Sequence, residues 1–143
     1  MQGVLGIRPD VEIRGVVITR EDDLCKRGRN TPLNYPKFSI LNPEYTFSLP
    51  AFQTACGAVD IMAHMMERYF TNTESVELID RMTEGALKTV IHNATIVLKQ
   101  SEDYDARAEI MWAAALAHNG LLGTGRVTDW ASHKLEHELS ALY

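Results

Sequence analysis

The sequence predicts a mostly α fold, an antiparallel multi-helix bundle with two or three short N-terminal β-strands. From Pro50 to the last residue, apolar residues recur at helical spacing and no strand pattern interrupts them. Three short β-branched runs precede this region, at residues 3–7, 11–19 and 37–41. Residues 26–36 between them are turn-rich. We therefore expect a strand-containing segment at residues 1–47 and a helical domain at residues 48–143.

The first two predicted helices follow from apolar spacing. The first begins near Pro50, whose missing N–H costs nothing in a first turn, and its apolar residues lie nearly all round the helix, which predicts burial. The second begins between Thr73 and Glu77 and continues to about Gln100, with a bend or break expected near Asn93.

The last two predicted helices have polar residues that can cap them. Asp103 or Asp105 can cap the third, whose alanines would let a neighbouring helix approach closely. Three glycines end this helix, at positions 120, 123 and 125. Thr128 or Asp129 can cap the fourth, which is expected to continue to residue 143.

Composition and charge restrict the classes of function. The chain has 143 residues, a net charge of −5 and 45% hydrophobic residues, which suits one domain and gives no basic surface for nucleic acid. Cys25 and Cys56 form no C-x-x-C unit, so neither a disulfide framework nor a thiolate metal site is indicated. No signal peptide or membrane-spanning run is present, and a cytoplasmic location is expected.

Two pairs of side chains in the predicted helices have the spacing of metal ligands. Asp60 and His64 are four residues apart, so they lie on one face of the first helix. His133 and His137 repeat this spacing in the fourth. A buried carboxylate and imidazole need partners, and a divalent metal would supply one. Asp60, His64 and His133, with or without His137, could bind Zn²⁺, Fe²⁺, Co²⁺ or Mn²⁺.

Other interpretations of these residues exist. A lone D-x-x-x-H is more often an ion pair on a helix surface. The string HKLEH, from His133 to His137, matches the H-x-x-E-H motif of zinc hydrolases, but that site needs a further protein ligand. His92 and His118 are interpreted as ordinary helix residues, the latter favoured by the dipole at a helix end.

Two long stretches resemble the iron-containing alcohol dehydrogenase family, particularly its NAD(P)H-dependent butanol dehydrogenase and aldehyde reductase members. They read YPKFSILNPEYTFSLPAFQTACGAVDIMAHMMERYFT and YDARAEIMWAAALAHNGLLGTGRVTDWASHKLEHELSALY. The resemblance covers nearly all of residues 35–143. It implies a dehydroquinate synthase-like helical domain that holds a divalent metal, Fe²⁺ or Zn²⁺, beside a dinucleotide-binding domain.

The resemblance also implies roles for individual residues. Asp60, His64 and His133 match family metal ligands, and His137 matches a histidine that lines the active site near the nicotinamide without binding the metal. A further histidine ligand is expected a few residues beyond Tyr143.

The resemblance implies the family reaction, NAD(P)-linked hydride transfer between a small alcohol and an aldehyde with a metal as Lewis acid. Residues 1–47 would be residual strands of the dinucleotide-binding domain, with RPDVEIRG where the family has a Gly-Thr-Gly-Ser/Thr-Glu type loop. The chain is therefore expected to be a fragment that does not bind NAD(P) and is inactive alone. The alternative is a non-enzymatic helical remnant that binds metal weakly and self-associates.

Overall fold

The computed structural model describes residues 15–22, 25–30 and 38–140. Within these residues it has one β-hairpin and four α-helices, which are β1 (Gly15–Arg20), β2 (Cys25–Asn30), α1 (Ala51–Tyr69), α2 (Glu77–Val97), α3 (Tyr104–His118) and α4 (Ala131–Leu139). Two 3-10 helices, Pro43–Thr46 and Leu121–Gly123, precede α1 and follow α3. The predicted mostly α class is confirmed.

The core lies where α1, α2 and α3 pack against one another and against the Leu121–Gly123 turn. Its buried side chains are Ala58, Ile61, Met65, Val90, Ala113, Ala117 and Leu122. Burying a side chain the size of Met65 or Leu122 stabilises the fold by about 1.5–3 kcal/mol. Because α3 presents mainly alanines to this core, α1 and α2 can both pack closely on it, as the sequence predicted.

Local contacts explain where the helices begin and end. Asp103 Oδ1 accepts a hydrogen bond from the Ala106 N–H at 2.9 Å, so Asp103 is the cap of α3. Gly120 has a φ of 82°, a left-handed conformation that ends α3 without strain. The expected break near Asn93 is absent, and α2 is continuous through this residue. The Asn93 side chain donates a hydrogen bond to the Thr89 carbonyl at 2.9 Å.

The prediction that α1 is buried all round was wrong. Its buried face carries Ile61 and Met65, whereas Val59 and Met66 on the predicted stripe are exposed. The reason is geometric: α2 and α3 cover one side of α1, and the other described elements leave much of the opposite side accessible.

The N-terminal segment differs in part from the prediction. β1 and β2 pair antiparallel, from Gly15 opposite Asn30 to Arg20 opposite Cys25. β2 falls largely in the stretch predicted to be turn-rich, because its sequence CKRGRN lacks the β-branched residues that indicate strands. Residues 38–41 do not form the predicted strand. The predicted strand at residues 3–7 and the start of the one at 11–19 lie outside the described residues.

The helical part ends with α4, which stops at Leu139 with Ser140 as its C-cap. Residues 141–143, which the sequence assigned to this helix, lie outside the described residues. No helix in the described part of the chain is both long and apolar enough to cross a lipid bilayer. A domain boundary between residues 47 and 48 stays a prediction.

Candidate metal centre

Asp60 and His64 lie one turn apart in the middle of α1 and face each other. Asp60 Oδ2 is 3.7 Å from His64 Nε2. The Asp60 side chain is 62% exposed and that of His64 20% exposed, so the carboxylate reaches solvent while the imidazole is largely enclosed. His64 Nδ1 is buried and has no hydrogen-bond partner among the described residues. Burying a nitrogen that makes no hydrogen bond costs free energy.

The surroundings of His64 keep its imidazole neutral. Burial, and then the charges of His118, His133, Arg68 and His137, lower the pKa of His64 to about 3. The neutral imidazole is the form that binds a metal ion.

His118, the last residue of α3, completes a group of three donors with this pair. Its ring centroid is 4.0 Å from that of His64. One potential ligand atom from each of Asp60, His64 and His118 lies within 4.8 Å of the other two. The sequence interpretation treated His118 as ordinary. The sequence contained only an indirect signal for His118, which is that the small residues of α3 let its C-terminal end pack against the middle of α1.

His133, at the start of α4, also lies next to His64. The two ring centroids are 4.2 Å apart, although His133 falls outside the three-residue donor group. Glu67 Oε1 accepts the His133 backbone N–H at 3.1 Å and lies 3.3 Å from His133 Nδ1. The structure thus brings three of the predicted site residues, Asp60, His64 and His133, to one place. Glu67, whose carboxylate lies next to the last of them, was not singled out from the sequence.

Trp130 forms a wall of the site together with Arg68. The indole centroid is 5.5 Å from that of His64 and 5.2 Å from that of His133. Arg68 Cζ lies 4.3 Å from the indole centroid, a cation–π arrangement, and an Arg68 N–H donates to the His64 carbonyl at 2.9 Å. Trp130 has a φ of 60°, and these contacts offset the strain of that conformation.

A groove of about 840 Å³ opens beside the site. Its lining is mixed: polar residues, among them Asp60, Glu67 and His133, alternate with apolar ones such as Met66 and Phe70. A groove that combines apolar side chains with convergent polar groups is typical of small-molecule sites.

Arg126 holds the loop that forms one side of this groove. Its guanidinium donates to the Tyr69 carbonyl at 2.9 Å and to Thr71 Oγ1 at 3.1 Å, and it forms an ion pair with Asp80. The start of α4 is therefore fixed relative to the end of α1.

His137 lies one turn beyond His133 and is more exposed. Its side chain is 43% accessible, and its Nε2 lies 4.0 Å from Glu136 Oε2. The described residues contain no metal-type cluster that includes both His133 and His137. The H-x-x-E-H hydrolase interpretation therefore gains no support from the geometry.

The donor set at this position suits a divalent cation. It combines one carboxylate with imidazoles, a mixture of oxygen and nitrogen ligands that Fe²⁺, Co²⁺ and Zn²⁺ accept. The buried, unpartnered His64 Nδ1 and the unusual proximity of three imidazoles fit such an ion.

Known proteins are similar to this chain in sequence and in fold. The profile of the Fe-containing alcohol dehydrogenase family, C-terminal part, matches residues 54–143. An NADH-dependent butanol dehydrogenase B of Clostridium acetobutylicum is 54% identical over 108 residues, covering 76% of this chain and 28% of the relative. The NADPH-dependent aldehyde reductase YqhD of Escherichia coli is 43% identical over 129 residues, covering 90% of this chain and 33% of the relative.

Solved structures agree with these matches. The NADH-dependent butanol dehydrogenase A of Thermotoga maritima superposes with a TM-score of 0.87 at 38% identity, over 96% of this chain and 35% of that one. Escherichia coli YqhD gives a TM-score of 0.86 at 43% identity, over 90% of this chain and 33% of that one. The chain therefore spans about a third of the length of these relatives. It belongs to the Fe-containing alcohol dehydrogenase family.

Proposed function

We propose that residues 48–143 are the metal-binding domain of an NAD(P)-linked alcohol dehydrogenase or aldehyde reductase, in which Asp60, His64 and His133 bind Fe²⁺ or Zn²⁺. The observation that carries this proposal is the convergence of these three side chains beside a groove of about 840 Å³, which Asp60 and His133 line. Family membership supports it, and the relatives are named as a butanol dehydrogenase and an aldehyde reductase.

Each residue of the site has a distinct role in this proposal. A bound divalent metal would supply Lewis-acid chemistry toward an alcohol or aldehyde oxygen. Asp60 and His64 would hold the ion from α1, and Glu67 would orient the His133 ring toward it. The apolar side chains of Met66 and Phe70 would bind the alkyl part of a small substrate and exclude water.

His137 is assigned the exchange of a proton between the site and solvent. Its partial exposure and its position one turn beyond His133 support this role. Glu136, the neighbour of His137 in α4, lines the groove.

Hydride transfer also requires a dinucleotide, and we do not assign its binding to the described residues. Residues 1–47 are proposed to be strands of the dinucleotide-binding domain. The 143-residue chain alone is proposed to have no appreciable dehydrogenase activity, so that robust NADH- or NADPH-dependent aldehyde reduction by the purified chain would overturn this point.

Metal analysis tests the ligand assignment. The chain is loaded anaerobically with Fe²⁺ or Zn²⁺, desalted and analysed for metal, in parallel with Asp60→Ala, His64→Ala and the control His92→Ala, which removes an exposed histidine of α2. We expect about one metal per chain in the wild type and in the control, and at least about tenfold weaker retention in the two site variants. Equally low metal in all four proteins would contradict the proposal.

The alternative is a non-enzymatic helical domain that self-associates. The observation in its favour is the exposure of large apolar side chains, including Val59, Phe70 and Val127. Sedimentation of the metal-free and metal-loaded chain separates the two: association without stable metal binding would favour the alternative.

A further inference from the structure

We propose that Arg126 is a positioning residue of the proposed metal centre, in that it holds the segment that leads into α4 and so places His133. This inference rests on the proposed function and deepens it. The described residues 126–130, between the Leu121–Gly123 turn and α4, form neither helix nor strand. A segment without regular backbone hydrogen bonds depends on side-chain contacts for its path. Arg126 supplies several of these contacts.

The Arg126 guanidinium joins the ends of two helices. Its side chain is only 2% exposed and forms an ion pair with Asp80, in the first turn of α2. The same group donates to the Tyr69 carbonyl at 2.9 Å and to Thr71 Oγ1 at 3.1 Å, both at the end of α1. Its carbon lies 5.6 Å from the Tyr69 ring centroid. A planar guanidinium can make all of these contacts at once, whereas a lysine has a single point charge.

The ion pair with Asp80 compensates a charge that would otherwise be buried alone. A buried charge is stable only when it is paired and hydrogen-bonded, so the loss of either partner is unfavourable. The helices cannot adjust easily, because α2 is fixed in the core through side chains such as Val90, which is completely buried. The segment that carries Arg126 is therefore the part that would move.

Two residues with left-handed backbone bracket this segment. Gly125 has a φ of 74° and Trp130 a φ of 60°. A left-handed conformation at a bulky residue persists only where the surrounding contacts determine it. Arg126 follows Gly125 directly, and the next N–H, that of Val127, donates to Thr73 Oγ1 at 3.2 Å. These contacts fix the start of the segment and thus the direction in which it approaches Trp130.

The segment leads directly into the helix that carries His133. α4 begins at Ala131 and has nine residues, all described by the structure, of which none is buried. Burial of apolar side chains therefore does not hold this short helix in place. Its first turn is held by the Glu67 carboxylate, which accepts the His133 N–H at 3.1 Å, and by the segment before it. The place of the His133 ring, 4.2 Å from that of His64, then depends on Arg126.

Amide hydrogen exchange of the metal-free chain, followed by ¹H–¹⁵N NMR, tests this role. The proteins compared are the wild type, Arg126→Met, Asp80→Asn and the matched control Arg81→Met, which removes a guanidinium that is 72% exposed on α2. We expect the His133 amide to exchange at least about tenfold faster in Arg126→Met and at least about threefold faster in Asp80→Asn, because the segment opens locally. The amide of Val90 should exchange within about twofold of the wild type in both, and Arg81→Met should change neither amide.

Two results would overturn the inference. One is a His133 amide that is protected equally in the wild type, Arg126→Met and Asp80→Asn. The other is equal acceleration at His133 and Val90, which would show that Arg126 contributes only general stability. If circular dichroism shows that Arg126→Met does not fold, Asp80→Asn decides, since it keeps Arg126 and changes only the charge of its partner.

A conservative variant and Zn²⁺ binding separate this inference from the proposed function. Arg126→Lys keeps a charge opposite Asp80 and should exchange at His133 within about threefold of the wild type. By calorimetric titration, Arg126→Met should bind Zn²⁺ about tenfold more weakly than the wild type, the usual effect of removing a group that positions a ligand. Equal affinity in these two proteins would mean that the positioning role is wrong and the proposed function stands. A wild type that binds no Zn²⁺ would contradict the proposed function, whereas a dependence of His133 protection on Arg126 would still support the placement of α4.

Discussion

The Glu67 carboxylate connects α1 to both the backbone and the ring of His133. Its Oε1 lies 3.1 Å from the His133 backbone nitrogen and 3.3 Å from Nδ1 of the same residue. Burial raises the pKa of Glu67, but hydrogen bonds from Ser132 and His133 outweigh it and leave that pKa lowered. One carboxylate thus accepts an N–H in the first turn of α4 and lies beside the imidazole that neighbours His64.

Replacing Glu67 should weaken metal binding without removing a ligand. In Glu67→Gln the side chain keeps its size but loses the charge that orients His133 Nδ1. We expect about 10- to 100-fold weaker Zn²⁺ binding, the usual effect of removing such an outer partner, measured by competition with a chelator. The matched control is Glu109→Gln on the exposed face of α3, which should bind Zn²⁺ like the wild type. Equal affinity of Glu67→Gln and its control would contradict this role.

The two histidines of α4 should behave differently. His133→Gln is expected to lower Zn²⁺ affinity at least about tenfold, because it removes a proposed ligand. His137→Gln should leave the affinity within about twofold, since its side chain is 43% exposed and outside the donor group. Isothermal titration of both variants checks this, and the reverse order of effects would show that the assignment of ligand and non-ligand is wrong.

Sequence reasoning identified the part of the site that lies within one helix. The i, i+4 spacing of Asp60 and His64 was enough to place them together, because helix geometry alone determines their proximity. His133 was already a candidate from its i, i+4 spacing with His137, and the family resemblance assigned it as a ligand without His137. His118 is separated from His64 by 54 positions, and only the packing of α3 against α1 brings the two rings to 4.0 Å.

For the fold too, features determined by neighbouring residues were predicted, whereas features determined by distant residues were missed. The cap at Asp103 was predicted correctly because a carboxylate before a helix satisfies backbone N–H groups nearby. Strand β2 was missed because its sequence has no apolar alternation and its hydrogen bonds are made with β1. The exposure of Val59 was missed because periodicity identifies apolar faces without saying which neighbour covers them.

Two adjacent methionines of α1 should differ strongly in their contribution to stability. Met65 is completely buried in the core, whereas Met66 lines the open groove. We expect Met65→Ala to lower the free energy of unfolding by about 2–5 kcal/mol through lost burial and a cavity. Met66→Ala, the matched control, should lower it by less than about 1 kcal/mol. Urea denaturation of the metal-free chain measures both, and equal effects would mean that the assigned buried face of α1 is wrong.

A hydrogen bond between α1 and α2 should make stability fall at alkaline pH. The Tyr69 hydroxyl donates to Glu84 Oε1 at 2.9 Å, and this bond, with a smaller contribution from burial, raises the pKa of Tyr69 above its ordinary value. Because the folded-state pKa is the higher one, the stabilisation is complete below the unfolded pKa of about 10 and is lost as the pH rises through the folded value. In Glu84→Gln the Tyr69 pKa, followed by the ¹³Cζ shift, should fall toward 10 and the alkaline loss of stability should be smaller. Glu109→Gln should leave the titration of Tyr69 unchanged, and a Tyr69 pKa equally high in Glu84→Gln would show that Glu84 is not the cause.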